Sequence, residues 1–257
     1  MKPVTHFIYP YIIPQNPVFG WELLYSIRSI YQNFKDPFDI TIIGEIPKWV
    51  NTTEIKCILW DNSDPIKYPR VQFRTNEKLL IAADMYEDLV FIHDDMYFID
   101  EVTREDLTTI RYLADDLLYQ GTSQEDHQLT RFQKQLRYTS FKLKEMGKPY
   151  IRNFATHAPF YYQSDKLKEL AKVFNLVEVG GQFAPVTEVA YYNYFEVESI
   201  PIQDFRIGYW EQAPEGNLKT AKVLNHDETG FIKNPGILTF LWNVFQKKCP
   251  AEKYEKK

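Results

Sequence analysis

Apolar residues occur along this chain in two patterns, continuous runs and spaced repeats, which distinguish buried strands from amphipathic helices. Repeats at three- and four-residue spacing predict helices at 21–30 and 76–86. Runs rich in β-branched or aromatic residues predict strands at 6–13, 39–43, 55–60 and 89–92. The order strand–helix–strand–strand–helix–strand favours an α/β fold, with a mostly parallel central sheet flanked by helices.

The pattern after residue 100 is less regular. Thr103 followed by Asp106 resembles a capping box, which predicts a helix from there to about residue 118. Further helices are predicted at 124–146, 165–174, 187–195 and 235–246. Because no internal repeat, low-complexity linker or compositional boundary divides the sequence, we expect one domain over residues 1–257.

Composition limits the class of protein. A chain of 257 residues with 44% hydrophobic residues can bury one large core. Its net charge of −5 argues against a generally basic surface for nucleic acid. The two cysteines, Cys57 and Cys249, fit neither a disulfide framework nor a zinc cluster. Without a secretory leader or an apolar run of about 20 residues, the sequence predicts a soluble, cytoplasmic protein with no membrane span.

Several phosphate-binding and nucleophilic chemistries are disfavoured by the motifs. The sequence has no Gly-x-x-x-x-Gly-Lys loop, no Gly-x-Gly-x-x-Gly turn and no Gly-x-Ser-x-Gly elbow. With only 10 glycines, a phosphate site built from backbone amides is disfavoured, and a metal-bridged phosphate site fits better.

Two adjacent carboxylates, Asp94 and Asp95, follow the strand predicted at 89–92. Ligands of open α/β sheets bind beyond the carboxyl ends of strands. Adjacent aspartates repel each other unless a cation lies between them, and Mg²⁺ or Mn²⁺ would use one or two carboxylates together with substrate phosphate oxygens. The pair therefore indicates a divalent metal site, and the alternative is a solvated turn.

The segment NEKLLIAADMYEDLVFIHDDMYF (76–98) resembles the acid-bearing helix–strand unit of GT-A glycosyltransferases. Four blocks in family order also resemble the stealth-type sugar-phosphate transferases: YPYIIPQN with WELLYSIRSI, GEIPKWV with FIHDDMYF, THAP, and NHDETGF with FLWNVFQKKCPAEKYE. The chain departs from that family at Leu24, where the family has arginine, and at His93, where it has asparagine. The opening strand also lacks the family's Trp-Val-Asn-Gly-Asp run.

The resemblance implies a single GT-A-like domain in which residues 1–100 bind a nucleotide sugar and residues 101–257 bind the acceptor. It implies a Mn²⁺ or Mg²⁺ cofactor and a nucleotide-sugar donor, with a UDP-sugar as the first expectation. The implied activity is metal-dependent transfer of the sugar to an acceptor hydroxyl. The alternatives are a stealth-like hexose-1-phosphate transferase and a non-catalytic glycan-binding module on the same fold.

The resemblance and the residue types together suggest roles for individual side chains. Asp94, His157 and Glu188 are the catalytic candidates, since a neutral imidazole or a carboxylate can act as a general base. Their structural alternatives are a packed histidine and an acid in a helix's first turn. The expected donor contacts are Asn76, Lys78, Asp94 and Glu22, and the expected metal ligands are Asp95, His226 and Asp227.

A local excess of positive charge bears on the acceptor. Residues 131–152 contain seven cations and one anion, Glu145. Four rings are interleaved with these charges: Phe132, Tyr138, Phe141 and Tyr150. A glycan is the acceptor that the family implies, but the stretch also suggests a hydroxymethylated base in DNA, as made by some phages. The cations would contact the phosphates of the DNA, and an aromatic pocket would hold the base. The alternative for this stretch is a solvated helical face. The sequence does not indicate an oligomeric state.

Overall fold

The computed structural model describes residues 2–16, 20–61, 71–116, 129–148, 150–176, 184–209, 220–226 and 236–253. The strands in these ranges are β1 (Thr5–Tyr11), β2 (Phe38–Gly44), β3 (Lys56–Leu59), β4 (Asp88–Phe91), β5 (Met96–Phe98), β6 (Arg111–Tyr112), β7 (Phe160–Gln163), β8 (Ile200–Pro201), β9 (Arg206–Tyr209) and β10 (Val223–His226). The helices are α1 (Glu22–Asn33), α2 (Val71–Ala83), α3 (Arg104–Thr108), α4 (Arg131–Glu145), α5 (Ser164–Phe174), α6 (Thr187–Tyr194) and α7 (Gly236–Val244).

The central sheet has the strand order β3-β2-β1-β4-β7. Its first four strands are parallel, and β7 is antiparallel to β4, with Phe91 opposite Phe160. The buried apolar runs form these strands because a parallel sheet covered by helices hides both faces of each strand. The predicted α/β class with a mostly parallel sheet flanked by helices is therefore confirmed, and strands β1 to β4 lie where the runs predicted them.

A second, smaller sheet follows the acidic turn. Strand β5 begins at Met96, pairs antiparallel with β10, and β10 pairs parallel with β9. This sheet places β10, from the C-terminal half of the chain, next to β5, which follows the carboxyl end of β4. Its strands are three or four residues long, which is too short for hydrophobic alternation to predict.

The helix predicted from Thr103 to about residue 118 is wrong in extent. The capping box forms, because the Asp106 amide donates to Thr103 and the Thr103 amide donates to the Asp106 carboxylate. The helix α3 nevertheless ends at Thr108, and strand β6 follows. Arg111 donates to the carbonyl oxygens of Asp106 and Thr109, so it binds the end of the helix instead of extending it.

The other predicted helices are confirmed with shifted ends. Helix α2 begins at Val71 and ends at Ala83, rather than covering 76–86. Helix α4 begins at Arg131, after a capping box between Thr130 and Gln133. Residues 124–128 of the predicted helix, and residue 235 of the last one, lie outside the described part of the chain.

The C-terminal segment is bound to α1 through a buried ion pair. Arg28 and Glu252 are 9% and 5% exposed, and they form two hydrogen bonds of 2.8 and 2.7 Å. Arg28 also donates to the carbonyl oxygen of Phe245 at 2.9 Å. Backbone hydrogen bonds from Asn51 to Ala251 and from the segment's end to the 49–50 loop complete the attachment. The C-terminal residues are thus part of the core of the N-terminal half.

Two expectations from composition can be compared with the structure. Cys57 and Cys249 are both free thiols, the second of them buried. None of the helices in the described ranges has the length and apolar character needed to cross a bilayer.

Candidate functional site

A pocket of about 240 Å³ lies at the carboxyl end of β4, between α2, the start of α4 and the start of α6. Four of the predicted site residues line it, namely Asn76, Asp95, His157 and Glu188. The rest of its wall is largely aromatic and is formed by Phe91, His93, Phe132, Phe160 and Tyr162, with Gln72, Thr75, Leu79, Met96, Ala155 and Thr187. We call this cavity the central pocket. Residues from distant parts of the sequence therefore meet where ligands of α/β sheets bind.

The turn that carries the acids leads from β4 into β5. The Met96 amide donates to the His93 carbonyl oxygen at 3.3 Å, which closes the turn and leaves Asp94 and Asp95 at its tip. Burial raises the pKa of Asp94 to about 6, because a charged carboxylate is poorly solvated there. Burial also lowers the pKa of His93 to about 4, with a smaller contribution from the charge of His157. His93 is therefore neutral at pH 7.

The carboxylates of Glu22, Asp94 and Asp95 all lie near enough to Tyr97 to act on its hydroxyl electrostatically. Burial is the main reason that the pKa of Tyr97 lies well above its usual value, and the three acids each raise it further. The Tyr97 hydroxyl is 2.9 Å from Nε2 of His226, and the two rings are stacked. Nε2 of His226 is also 3.5 Å from a Glu22 oxygen. The start of α1, the acidic turn and the end of β10 thus form one acidic cluster.

The predicted metal site can be compared with this acidic cluster. Carboxylate oxygens are the ligands that Mg²⁺ and Mn²⁺ prefer. Within the described ranges, no three His, Cys, Asp or Glu side chains are close enough to hold an ion by themselves. Asp227, one of the three predicted ligands, lies outside those ranges. The chemistry of Asp94 and Asp95 therefore fits a hard cation only where substrate oxygens supply further ligands.

Glu188 and His157 also line the central pocket. Glu188 lies in the first turn of α6, and burial raises its pKa to about 7. His157 has a left-handed backbone with φ of 50°, and its ring is 6.3 Å from that of Phe132. Arg206 donates to the carbonyl oxygen of Thr156 at 2.8 Å, directly before His157. A carboxyl group with a pKa of about 7 and an imidazole therefore line the same pocket.

Asn76 and Lys78 were both predicted to contact the donor. The two side chains lie on opposite sides of α2. Asn76 is fully buried, and its amide bonds Gln72, Thr187 and the carbonyl oxygen of Leu176. Those bonds fix the start of α6, and with it Glu188, against α2. Asn76 is consequently a positioning residue of the central pocket.

Lys78 lies beneath the carboxyl ends of β1 and β2. Its ammonium group donates to the Tyr11 carbonyl oxygen at 3.2 Å and is 5.2 Å from the centre of the Trp60 ring. Burial lowers the pKa of Lys78 to about 8, and the charge of Arg74 contributes to the shift. Gly44 makes this approach possible, since a Cβ there would lie 1.9 Å from the Tyr11 oxygen and its φ is +139°. Lys78 thus places a positive charge on the side of α2 away from the central pocket.

Sequence reasoning missed Tyr97, the aromatic wall and the position of Arg206. Tyr97 is fully buried and lies two residues after Asp95. An aromatic residue in a strand directly after two carboxylates was the sequence feature that could have indicated its place in the site. Phe160 and Tyr162 reach the pocket only because β7 pairs with β4, and a four-residue strand gives no local sign of its partner.

No protein-family model matches the chain, and no curated protein is significantly similar to it. The function is therefore inferred from the geometry of the site, together with the resemblance of its sequence blocks.

Replacing Glu188 with glutamine should stabilise the protein at high pH. The carboxyl titrates near 4.5 when unfolded and near 7 when folded, so stability falls as pH rises through that window. Glutamine carries no charge and removes this loss. We expect Glu188→Gln to exceed the wild type by on the order of 2 kcal/mol at pH 8, and by much less at pH 4.5. Urea unfolding at both pH values measures the difference.

The matched control is Glu169→Gln, at an exposed acid of α5, which should show no such dependence. An equal gain in the free energy of unfolding for Glu188→Gln at both pH values would mean that the stabilisation comes from packing and not from the ionisation of Glu188.

Proposed function

We propose that this chain is a metal-dependent glycosyltransferase of the GT-A type, which moves a sugar from a nucleotide-sugar donor to an acceptor hydroxyl. The strongest support is the position of the acid pair: Asp95 lines the central pocket together with Glu188 and His157, and Asp94 adjoins it in the acidic cluster with Glu22 and His226. A transferase needs both, because it must hold the leaving nucleotide and the acceptor hydroxyl at the sugar's reacting carbon.

The GT-A assignment is supported by the local order of elements. Helix α2 leads into the buried strand β4, and the acids follow the strand directly, as the resemblance implies. The parallel strands β1, β2 and β4 all end at the same edge as the acid pair. Lys78 places a buried positive charge at the same edge, beside the last residue of β1.

On the donor side, Asp94 and Asp95 would hold the divalent ion, and phosphate oxygens of the donor would complete its ligand shell. When bound, the ion supplies positive charge that offsets the charge developing on the departing nucleotide. The raised pKa of Asp94 is consistent with this role, since a buried carboxyl gains most from a nearby cation. The contacts of His226 with the Tyr97 hydroxyl and with Glu22 would hold the side chains of the acidic cluster in position.

On the acceptor side, Glu188 is the proposed general base. Its pKa of about 7 is close to the operating pH, which is where a base transfers protons efficiently. The acceptor hydroxyl would give its proton to the Glu188 carboxylate as its oxygen bonds to C1 of the sugar. In the same step the C1–O bond to the phosphate breaks, and the nucleoside diphosphate leaves with the bonding electron pair. His157 would hold the acceptor in place.

The proposal is tested by binding measurements with UDP, GDP, CDP and their common sugars, each with Mn²⁺ and with EDTA. We expect one nucleotide and its sugar to raise the melting temperature and to release heat of binding only when Mn²⁺ is present. Stabilisation scales with ligand concentration above Kd, reaching about 2.7 kcal/mol at 100 times Kd. The absence of stabilisation by every donor would overturn the proposal and favour the non-catalytic module. With the matching donor in hand, product mass separates transfer of the sugar alone from transfer of hexose-1-phosphate.

A further inference from the structure

The exposed side of α4 combines positive charge with aromatic rings. Its buried residues, Gln135, Leu136, Thr139, Ser140 and Leu143, face the core. The opposite positions recur at spacings of three and four, which places them in one stripe along the helix. They are Lys134, Arg137, Tyr138, Phe141 and Lys144, and we call them the α4 stripe.

The charges of this helix are poorly balanced by acids. The helix has five cations and one acid, Glu145, which pairs with Lys142 at 2.9 Å. Within the described part of the chain, no carboxylate forms an ion pair with Arg131, Lys134 or Lys144. A protein with a net charge of −5 thus concentrates cations at this one surface. Such a surface repels itself unless an anionic partner covers it.

The rings of this region are exposed to solvent. Phe141 in the middle of the stripe is 50% exposed, and Tyr150 beyond the helix is 90% exposed. An exposed phenylalanine between lysines is unfavourable for a face that contacts only water, but it provides a stacking surface for flat rings.

The central pocket opens beside the first turn of α4. Phe132 lines the pocket there and is 38% exposed, and it lies on the core-facing side of the helix, so a strand on the α4 stripe would cross the helix's N-terminal end to reach the pocket. The pocket has the rings of Phe91, Phe160 and Tyr162 in its wall, and its polar groups are Gln72, Thr75, Asn76, His93, Asp95, His157, Thr187 and Glu188. Aromatic rings together with polar groups are the features that hold a single base removed from its stack.

We infer that the α4 stripe binds a nucleic-acid strand and that the central pocket takes one base of it. The inference rests on the proposed function, because the strand would be the acceptor whose hydroxyl faces Glu188. Ordinary bases carry no aliphatic hydroxyl, so the base must bear one, and a hydroxymethyl group is the simplest. A neutral glycan would leave the cations of the stripe without a role. An anionic glycan would use the cations but has no flat base for the pocket.

The inference is tested by fluorescence anisotropy with labelled 20-residue single strands in 50 mM salt. The probes are DNA with one 5-hydroxymethylcytosine, the same DNA unmodified, its RNA counterpart, an abasic strand of equal charge, and heparin. We expect the base-bearing strands to bind at least about tenfold more tightly than the abasic strand, since stacking contributes about 1–3 kcal/mol per base. The DNA and RNA arms identify the type of strand.

The variants separate charge from stacking. Lys134→Glu with Lys144→Glu should weaken binding at least about tenfold and reduce the slope of log K against log salt by about 2. Lys48→Glu with Lys172→Glu, at two exposed lysines away from α4, is the matched control and should change binding less than about twofold. Phe132→Ala should weaken binding of the base-bearing strand and leave binding of the abasic strand unchanged.

Two outcomes would overturn the inference. Equal affinity for heparin, the abasic strand and the base-bearing strand would point to an anionic glycan. Binding that survives charge reversal on α4 would leave the stripe as a solvated surface. Donor binding in the presence of Mn²⁺, measured on the same variants, should be unaffected, since Lys134 and Lys144 lie outside the acidic cluster. Donor binding without strand binding therefore refutes only this inference, and strand binding without donor binding refutes only the transferase.

Discussion

Replacing Asp95 with asparagine is expected to abolish Mn²⁺-dependent donor binding and to lower turnover about 100-fold or more. Asparagine keeps the size of the side chain and one carbonyl oxygen, so the turn between β4 and β5 should form as before. It loses the charge that a divalent ion requires. The effect should be largest for the diphosphate donor and absent for binding that uses no metal. Calorimetry with the donor, with Mn²⁺ and with EDTA, measures the loss.

The comparison variant is Asp100→Asn, an exposed acid after β5 whose carboxylate bonds the amide of Glu101. This change removes the same charge from the same neighbourhood of the chain, and donor binding should remain at the wild-type level. A donor affinity in Asp95→Asn within twofold of the wild type would rule out Asp95 as a metal ligand. The metal would then have to be held elsewhere, or the donor bound without one.

Removing one partner of the Arg28–Glu252 pair is expected to destabilise the fold by about 3–5 kcal/mol. Both side chains are buried and joined by two hydrogen bonds, so Arg28→Ala leaves the Glu252 carboxylate in the core without its counter-charge. It also removes the donor to the Phe245 carbonyl oxygen. Such a loss is a large part of the stability of an ordinary domain. Urea unfolding of the two single variants measures it.

A double replacement tests the physical reason. Arg28→Met combined with Glu252→Leu removes both charges and keeps the volume apolar, so it should recover part of the lost stability. The Phe245 carbonyl and the Cys249 amide still lose their side-chain partners in this variant. Lys35→Ala, which breaks the exposed pair with Glu101, is the surface comparison and should have little effect. A loss in Arg28→Ala no larger than in Lys35→Ala would show that the pair is solvated in solution.

The sequence predicted those parts of the fold that are encoded over a few neighbouring residues. Strands β1, β2 and β4 are largely apolar runs that are mostly buried, and β3 is a short apolar run that remains partly exposed. Helix α3 shows the limit of this reasoning. Its start was predicted correctly from Thr103 and Asp106, but its end depends on Arg111 and on the pairing of β6 with β8, which lies about 90 residues later in the chain.

The sequence predicted several of the site residues individually, but it did not predict how they are arranged. Asp95, His157 and Glu188 line one pocket, as residue chemistry suggested, because carboxylates and histidines at element ends are visible in a sequence. Asn76 and Lys78 are two positions apart, so the predicted helix already places them on opposite sides. Their partners were not predictable, since Thr187 is 111 positions from Asn76 and Tyr11 is 67 positions from Lys78. Pairings over such distances are set by topology, which single-residue patterns do not contain.

The attachment of the C-terminal segment to α1 has a consequence for how the protein is made. Arg28 leaves the ribosome 224 residues before the carboxylate that neutralises it. At 5–20 residues per second, this interval is about 10 to 45 s. During this time α1 carries a guanidinium group without its buried partner, so the C-terminal segment can pack against α1 only after Glu252 has been made. A ribosome stalled before codon 252 would hold a polypeptide that lacks this ion pair.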